Sequence, residues 1–143
     1  MPYLLDTNHC SYLMNGLNKQ PDRRKLEETN TIKVFESITA ETLYMSEVSL
    51  GELFYGAEVS ANPLRIHQRI TDFRRMVVPA FLDETCWEIF AKNKVLLEKT
   101  GTCPEDFDLL IACIAQRYGA VLVSNDTIFK HLPASFQVEN WAV

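Results

Sequence analysis

The chain has 143 residues, 47% of them hydrophobic, enough for one compact domain that buries roughly two-thirds of its unfolded surface, which excludes an intrinsically disordered chain. Its 14 Lys+Arg against 19 Asp+Glu give a formal charge of -5, which excludes a basic coat for broad electrostatic binding of nucleic acid and leaves room only for a local basic patch. No apolar run approaches the roughly 18 residues of a membrane span, and no basic-then-apolar leader precedes Asp6, so a cytoplasmic protein without membrane contact is expected.

Pro2-Tyr3-Leu4-Leu5 is a short apolar run that stops at Asp6-Thr7-Asn8, the pattern of a buried strand entering a short helix. Asp6 is therefore expected at the carboxyl end of that strand. Residues Asn15 to Asn30 are polar, with Arg23, Arg24 and Lys25 together, and are expected to form a loop with a surface helix running on to Ile38. Leu43-Tyr44-Met45 reads as a second strand, with Ser46 capping a helix from Glu47 to Val59. Pro63 starts another helix that ends near Arg75, ahead of Met76-Val77-Val78-Pro79. Asp83 or Thr85 caps the helix carrying Trp87, Phe90, Val95 and Leu97, and Gly101 ends it. Pro104 is expected in the first turn of a helix through Arg117, Gly119 at its left-handed end, and Ala120-Val121-Leu122-Val123 as a buried strand. Phe136 to Trp141 alternates and suits an edge strand.

Short apolar strands alternating with helices predict an α/β fold around a parallel sheet, because parallel strands need helical crossovers. No repeat or linker divides the chain, so a single domain over residues 1–143 is expected. Cys10, Cys86, Cys103 and Cys113 show no C-x-x-C spacing and read as reduced thiols.

In open α/β sheets the ligand crevice lies beyond the carboxyl ends of the strands. Asp6 follows Leu4-Leu5, and Asp126 follows Val121-Leu122-Val123 after Ser124-Asn125, so two strands deliver an acid to one rim. Aspartate also caps helices, so either acid alone would be unremarkable. Glu52, in Leu50-Gly51-Glu52-Leu53-Phe54-Tyr55-Gly56, and Asp108, in Phe107-Asp108-Leu109-Leu110-Ile111-Ala112, lie in predicted helices among apolar neighbours, where lone carboxylates seldom stay unpaired. If all four meet, their repulsion is relieved by raised pKa values or a bound cation, and oxygen-only donors point to Mg²⁺ or Mn²⁺. Glu105 and Asp106 compete with Asp108. Residues two apart on a helix face different ways, and acids suit a first turn through its dipole, so Asp108 is preferred and Asp106 kept as an outer ligand.

Read in order, Leu4-Leu5-Asp6-Thr7-Asn8, Glu52-Leu53-Phe54-Tyr55-Gly56, Asp108-Leu109-Leu110-Ile111-Ala112 and Ser124-Asn125-Asp126-Thr127-Ile128-Phe129 resemble the PIN-domain nucleases, and most closely the VapC-type toxins of bacterial toxin–antitoxin pairs. The resemblance spans the chain, including Gly101-Thr102-Cys103-Pro104 and Val138-Glu139-Asn140-Trp141. It implies a three-layer α/β/α sandwich and a Mg²⁺- or Mn²⁺-dependent endoribonuclease. Asp6, Glu52, Asp108 and Asp126 match the family's acidic quartet, and Asn8 and Ser124 would orient ligands or water. The same resemblance implies an RNA substrate, a cognate VapB-like antitoxin covering the metal site, and a homodimer.

The chemistry agrees: phosphodiester hydrolysis needs activated water and relief of phosphate charge, which a carboxylate-held divalent cation supplies. No histidine base is required, and His9, His67 and His131 read as surface or near-site residues. Arg65, Arg69, Arg74 and Arg75, with only Asp72 among them, form the best local cluster for RNA phosphates, and equally suit a solvated helix face. Tyr55 and Phe129 suit base stacking or the core, as Phe54, Tyr55, Tyr12, Leu13 and Met14 suit an antitoxin groove or the core. A haloacid-dehalogenase-like phosphotransferase would need a second Asp where Asn8 stands, and a receiver domain would need paired early acids. The remaining alternative is a catalytically silent PIN-like module that binds RNA or protein.

Overall fold

The computed structural model describes residues 1–143 and contains five strands and six α-helices. The strands are β1 (Tyr3–Leu5), β2 (Leu43–Ser46), β3 (Val78–Ala80), β4 (Val121–Val123) and β5 (Val138–Glu139). They pair in the order β3-β2-β1-β4-β5, every pair parallel, with Tyr3 opposite Leu43 on one side and Val121 on the other. The helices are α1 (Thr7–Leu17), α2 (Leu26–Ser37), α3 (Glu47–Val59), α4 (Pro63–Arg74), α5 (Glu84–Lys99) and α6 (Asp106–Arg117). None is long and apolar enough to cross a membrane.

Right-handed crossovers from β1 to β2 and from β2 to β3 step the same way and put α1 to α4 on one face. The step from β3 back to β4 reverses direction and puts α5 and α6 on the other. Side chains that alternate along the strands feed both layers. Leu5, Met45 and Val123 pack with Leu13, Leu53 and Phe73, whereas Leu4, Ala80 and Leu122 pack with Cys86, Ile111 and Ile114. The result is a three-layer α/β/α sandwich. All four cysteines are free. The outer strands are short: β3 carries Pro79 at its centre, and β5 has two residues.

Caps account for most of the predicted boundaries. Ser46 accepts from Ser49 N and Asp83 from Cys86 N, while Gly101 and Gly119 take φ of 67° and 63°, the left-handed region that glycine enters without steric cost. Three expectations shift. The polar stretch from Asn15 to Asn30 is mostly helical: α1 reaches Leu17, a 3₁₀ turn spans Pro21–Arg23, and α2 begins at Leu26. Nor does α2 lie wholly on the surface, because Glu28, Thr31 and Ile32 are buried. A glutamate on an inward face hides the helical period. Its carboxylate accepts from Lys19 Nζ at 2.9 and 3.0 Å and from Lys25 N at 2.8 Å. Burial alone would raise the Glu28 carboxyl, but these donors outweigh it and hold it below its ordinary value.

Secondly, Pro104 precedes the helix instead of opening it. The residue after it, Glu105, keeps an extended backbone as N-cap, so α6 starts at Asp106. Thirdly, the C-terminal alternation yields strand only at Val138–Glu139. Beyond it Trp141 turns into the core, edge-on to Tyr3 with ring centroids 5.1 Å apart.

The crossing of α1 and α2 depends on Gly16, where an added Cβ would lie 2.8 Å from Ile32 Cδ1 and 3.0 Å from Glu28 Cβ. Gly16→Ala should lower the urea midpoint, because overpacking of roughly 1–3 kcal/mol exceeds the roughly 1 kcal/mol gained in helix propensity. Gly51→Ala, which meets nothing within 4 Å, should raise it.

Candidate active site

The direction of sheet growth reverses between β1 and β4, and in open parallel sheets such a switch point opens a crevice at the carboxyl ends. Asp6 leaves β1 there, its backbone N–H donating to Val123 O at 3.0 Å and its side chain capping α1. Asp126 follows β4 and caps the 3₁₀ turn Thr127–His131. Glu52 arrives on the second turn of α3 and Asp108 on the first turn of α6. These four carboxylates, with Thr7, Asn8 and Phe129, line one cleft of about 110 Å³. A larger groove of about 390 Å³ lies at the amino ends of β2 and β3, but apart from Glu41 its lining is uncharged, mainly Phe35, Ile38, Leu43, Met76 and Val78. Converging acids, rather than volume, mark the chemistry.

The four carboxylates are not equivalent. Asp6 Oδ1 accepts from His9 N at 2.8 Å and faces His9 Nδ1 at 3.0 Å. Glu52 Oε1 accepts from Thr7 Oγ1 at 2.6 Å, and Asp126 Oδ1 from Ile128 N at 3.0 Å. Each of these three keeps its second oxygen free of protein donors. Asp108 alone has no side-chain hydrogen bond. Burial pushes it up to about 6, and the charges of Glu52, Asp126, Glu105 and Asp6 add to the shift. The acid without a hydrogen bond is thus raised first by burial and further by the negative charge around it.

No three Asp, Glu, His or Cys side chains are drawn together tightly enough to hold a metal ion as they stand. The donor chemistry nonetheless fits a hard divalent cation: four carboxylates share one cleft, three with an oxygen to spare and the fourth raised by burial and, to a lesser degree, by nearby negative charge.

Among the other residues singled out in the sequence, Asn8 lines the cleft. Ser124 is buried behind it, and its Oγ accepts from Asp126 N at 3.1 Å. Asp106 is not in the lining; it is paired with Lys94 Nζ at 2.9 Å. None of Arg65, Arg69, Arg74 or Arg75 lines the cleft. Arg69 reaches Asn15 late in α1, with Nη1 3.5 Å from its Oδ1, and Arg75 stands 3.8 Å from Asp72. Leu13 and Met14 belong to the core, Tyr12 is half-buried, and Phe54 and Tyr55 are exposed. Phe129 is both core and cleft wall.

Two residues escaped the sequence reading. Thr7 bridges α1 to Glu52, and its hydroxyl also stands 3.1 Å from Ser49 Oγ, which lies 3.3 Å from Ser46 Oγ. The available signal was a hydroxyl directly after Asp6 and a serine one turn before Glu52. His9, read as surface or near-site, is completely buried beside Asp6, because the third residue of a helix lies against its capping side chain. Of the other two histidines, His67 pairs with Glu58 at 3.0 Å and stacks on Phe54, and His131 is exposed.

A family model described as PIN domain matches residues 3–134. The chain is 30% identical over 142 residues to Ribonuclease VapC2 of Rickettsia felis, covering 99% of this chain and 98% of that one. It is 27% identical over 142 residues to the tRNA(fMet)-specific endonuclease VapC of Shigella flexneri, covering 99% of each. Among solved structures, VapBC2 from Rickettsia felis bound to a DNA fragment from their promoter contains a chain that matches with a TM-score of 0.81, 27% identity and 99% of each chain covered.

The raised Asp108 pKa makes a prediction for metal-free protein. A carboxyl raised on folding stabilises the fold below its unfolded value of 3.8, and that contribution is lost as pH rises through about 6. In EDTA, Asp108→Asn should raise the thermal midpoint over wild type at pH 7.5 and raise it clearly less at pH 4.5, where much of the folded-state carboxyl is still protonated. Equal midpoints at both pH values would contradict the assignment.

Proposed function

The chain belongs to the PIN-domain family, and on that footing we propose that it is a metal-dependent endoribonuclease, the toxin of a toxin–antitoxin pair, that hydrolyses RNA phosphodiester bonds and so inhibits translation or growth. The observation that carries this reading is the convergence of Asp6, Glu52, Asp108 and Asp126, from four separate elements, on one cleft at the sheet's switch point. Full-length likeness to a protein named as a ribonuclease supports it. We assign the whole chain to one nuclease domain.

These four carboxylates would hold Mg²⁺ or Mn²⁺, which supplies Lewis-acid relief of phosphate charge and acidification of water. Asp6, Glu52 and Asp126 each offer the oxygen that no protein donor occupies. Asp108, raised to about 6, keeps its proton to higher pH than a free carboxyl and carries most, not all, of its charge at neutral pH. Asn8 offers an amide to a phosphate oxygen in the cleft, and Ser124 fixes the backbone that carries Asp126. Asp106 stays on Lys94 as an outer acid. Without a counter-ion the four carboxylates repel the phosphate backbone, so metal-free protein binds RNA weakly. Arg65, Arg69, Arg74 and Arg75 would meet phosphates only of an RNA long enough to run along α4.

The partner we assign is a VapB-like antitoxin, supported by the likeness to a VapBC2 complex. Tyr55, one turn after Glu52 on α3, is exposed, an aromatic surface on the cleft side of the helix on which such a partner would exclude RNA, whereas Phe54 faces His67 of α4. A homodimer is part of the same reading.

The test is cleavage of an RNA pool that includes initiator tRNA by purified protein. Cutting is expected with Mg²⁺ or Mn²⁺, is abolished by EDTA, and falls by about 10²-fold or more in Asp108→Asn, in line with the loss of one preorganised electrostatic group. Asp106→Asn should cut nearly as well as wild type. Cutting that survives EDTA would sink the reading, and metal-independent RNA binding without cutting would favour a silent binding module.

A further inference from the structure

Resting on that metal-centred reading, we infer that His9 is a positioning residue for Asp6: its ring holds one carboxylate oxygen so that the other alone is presented to a divalent cation. His9 is completely buried and does not line the cleft, so it touches neither metal nor RNA itself. Two of its groups reach the same atom, the backbone N–H at 2.8 Å and Nδ1 at 3.0 Å from Asp6 Oδ1. The backbone bond is an ordinary helix cap that most residues would supply. The ring bond is particular to histidine. With two donors Oδ1 uses both its lone pairs, and Oδ2 is the oxygen left over.

Geometry also fixes the tautomer. Nδ1 donates only if it carries the ring proton, and Nε2 is buried with no hydrogen-bond partner. A proton on Nε2 would bury an N–H without an acceptor, whereas the Nδ1–H form leaves only an unused lone pair. A ring present for packing alone would be better served by carbon at that position. The ring is steadied by Tyr12, edge-on at 5.3 Å between centroids. The Tyr12 hydroxyl in turn accepts from Asn125 Nδ2 at 3.1 Å, next to Asp126. A continuous set of contacts therefore runs from the first acid to the loop that carries the fourth.

The experiment titrates metal-free protein with Mn²⁺ alone, follows free Mn²⁺ by electron paramagnetic resonance, and records thermal unfolding in EDTA alongside. His9→Phe should keep or raise the unfolding midpoint yet weaken Mn²⁺ binding about 10-fold or more, the usual cost of losing a group that orients a metal ligand. His9→Asn, whose amide donates from near the Nδ1 position, should recover most of the affinity. In wild type, long-range ¹H–¹⁵N spectra should show His9 as the Nδ1–H tautomer with and without Mg²⁺. Wild-type affinity in His9→Phe, no rescue by His9→Asn, or a wild-type Nε2–H tautomer would each overturn the assignment, the last even if a variant did not fold. Failure of the metal-centred reading is distinguishable: wild type would bind no Mn²⁺, or Asp108→Asn would bind it equally well, with His9 untouched.

Discussion

The arrangement depends on keeping four carboxylates close without a basic side chain among them. Helix beginnings do much of this. A parallel sheet sends its strand carboxyl ends to one edge, and the elements that leave β1, β2 and β4 start there. Their free N–H groups and positive dipole ends face the acids. Asp6 and Asp126 use those donors directly as caps. Glu52, one turn further along α3, is out of reach of such donors and takes the Thr7 hydroxyl instead. Asp108 sits in the first turn of α6 and accepts no side-chain hydrogen bond, so nothing offsets its burial, the larger effect, and the neighbouring negative charges that together raise it. The site is thus a compromise between capping, which fixes an acid, and crowding, which unsettles one.

Much of the fold follows from local pattern. Ser46, Asp83, Pro63, Gly101 and Gly119 all lie at helix boundaries, because caps and left-handed glycines are local chemistry. β1 and β4 lie where the apolar runs Tyr3-Leu4-Leu5 and Val121-Leu122-Val123 lead on to Asp6 and Asp126. What the pattern hid was polar burial. Glu28 is buried but reads as solvated, since its compensation comes from Lys19, nine residues away, and from the Lys25 backbone. That one inward glutamate made a packed helix look like loop and surface. Pro104 misled in the other direction: its fixed φ suits a first turn, but Glu105 after it remains extended and the helix waits one residue more.

For the site, strand ends marked Asp6 and Asp126, and inward helix positions marked Glu52 and Asp108, but it was the resemblance to the PIN-domain nucleases that implied all four in one site. The groups around the acids were less legible. Thr7 and Glu52 lie 45 residues apart, and nothing in either segment announces the contact. His9 was visible only as a histidine near an acid; its complete burial depends on how α1 seats against the core. The arginines of α4 illustrate the reverse. They cluster in sequence, yet a helix spreads them along its length and around its circumference, so none reaches the cleft.

The two outer strands have a consequence for life at high concentration. An open sheet ends in rows of unpaired backbone groups that can recruit another chain's strand and seed aggregation. Here the outer edge of β3, although it exposes Val78, is interrupted by Pro79, which has no N–H to offer an incoming strand. The opposite edge, β5, is two residues long and ends where the chain turns inward at Trp141. Neither margin gives a second sheet enough length to grip. The molecule can therefore keep a wholly parallel, strongly apolar centre while its rims resist polymerisation.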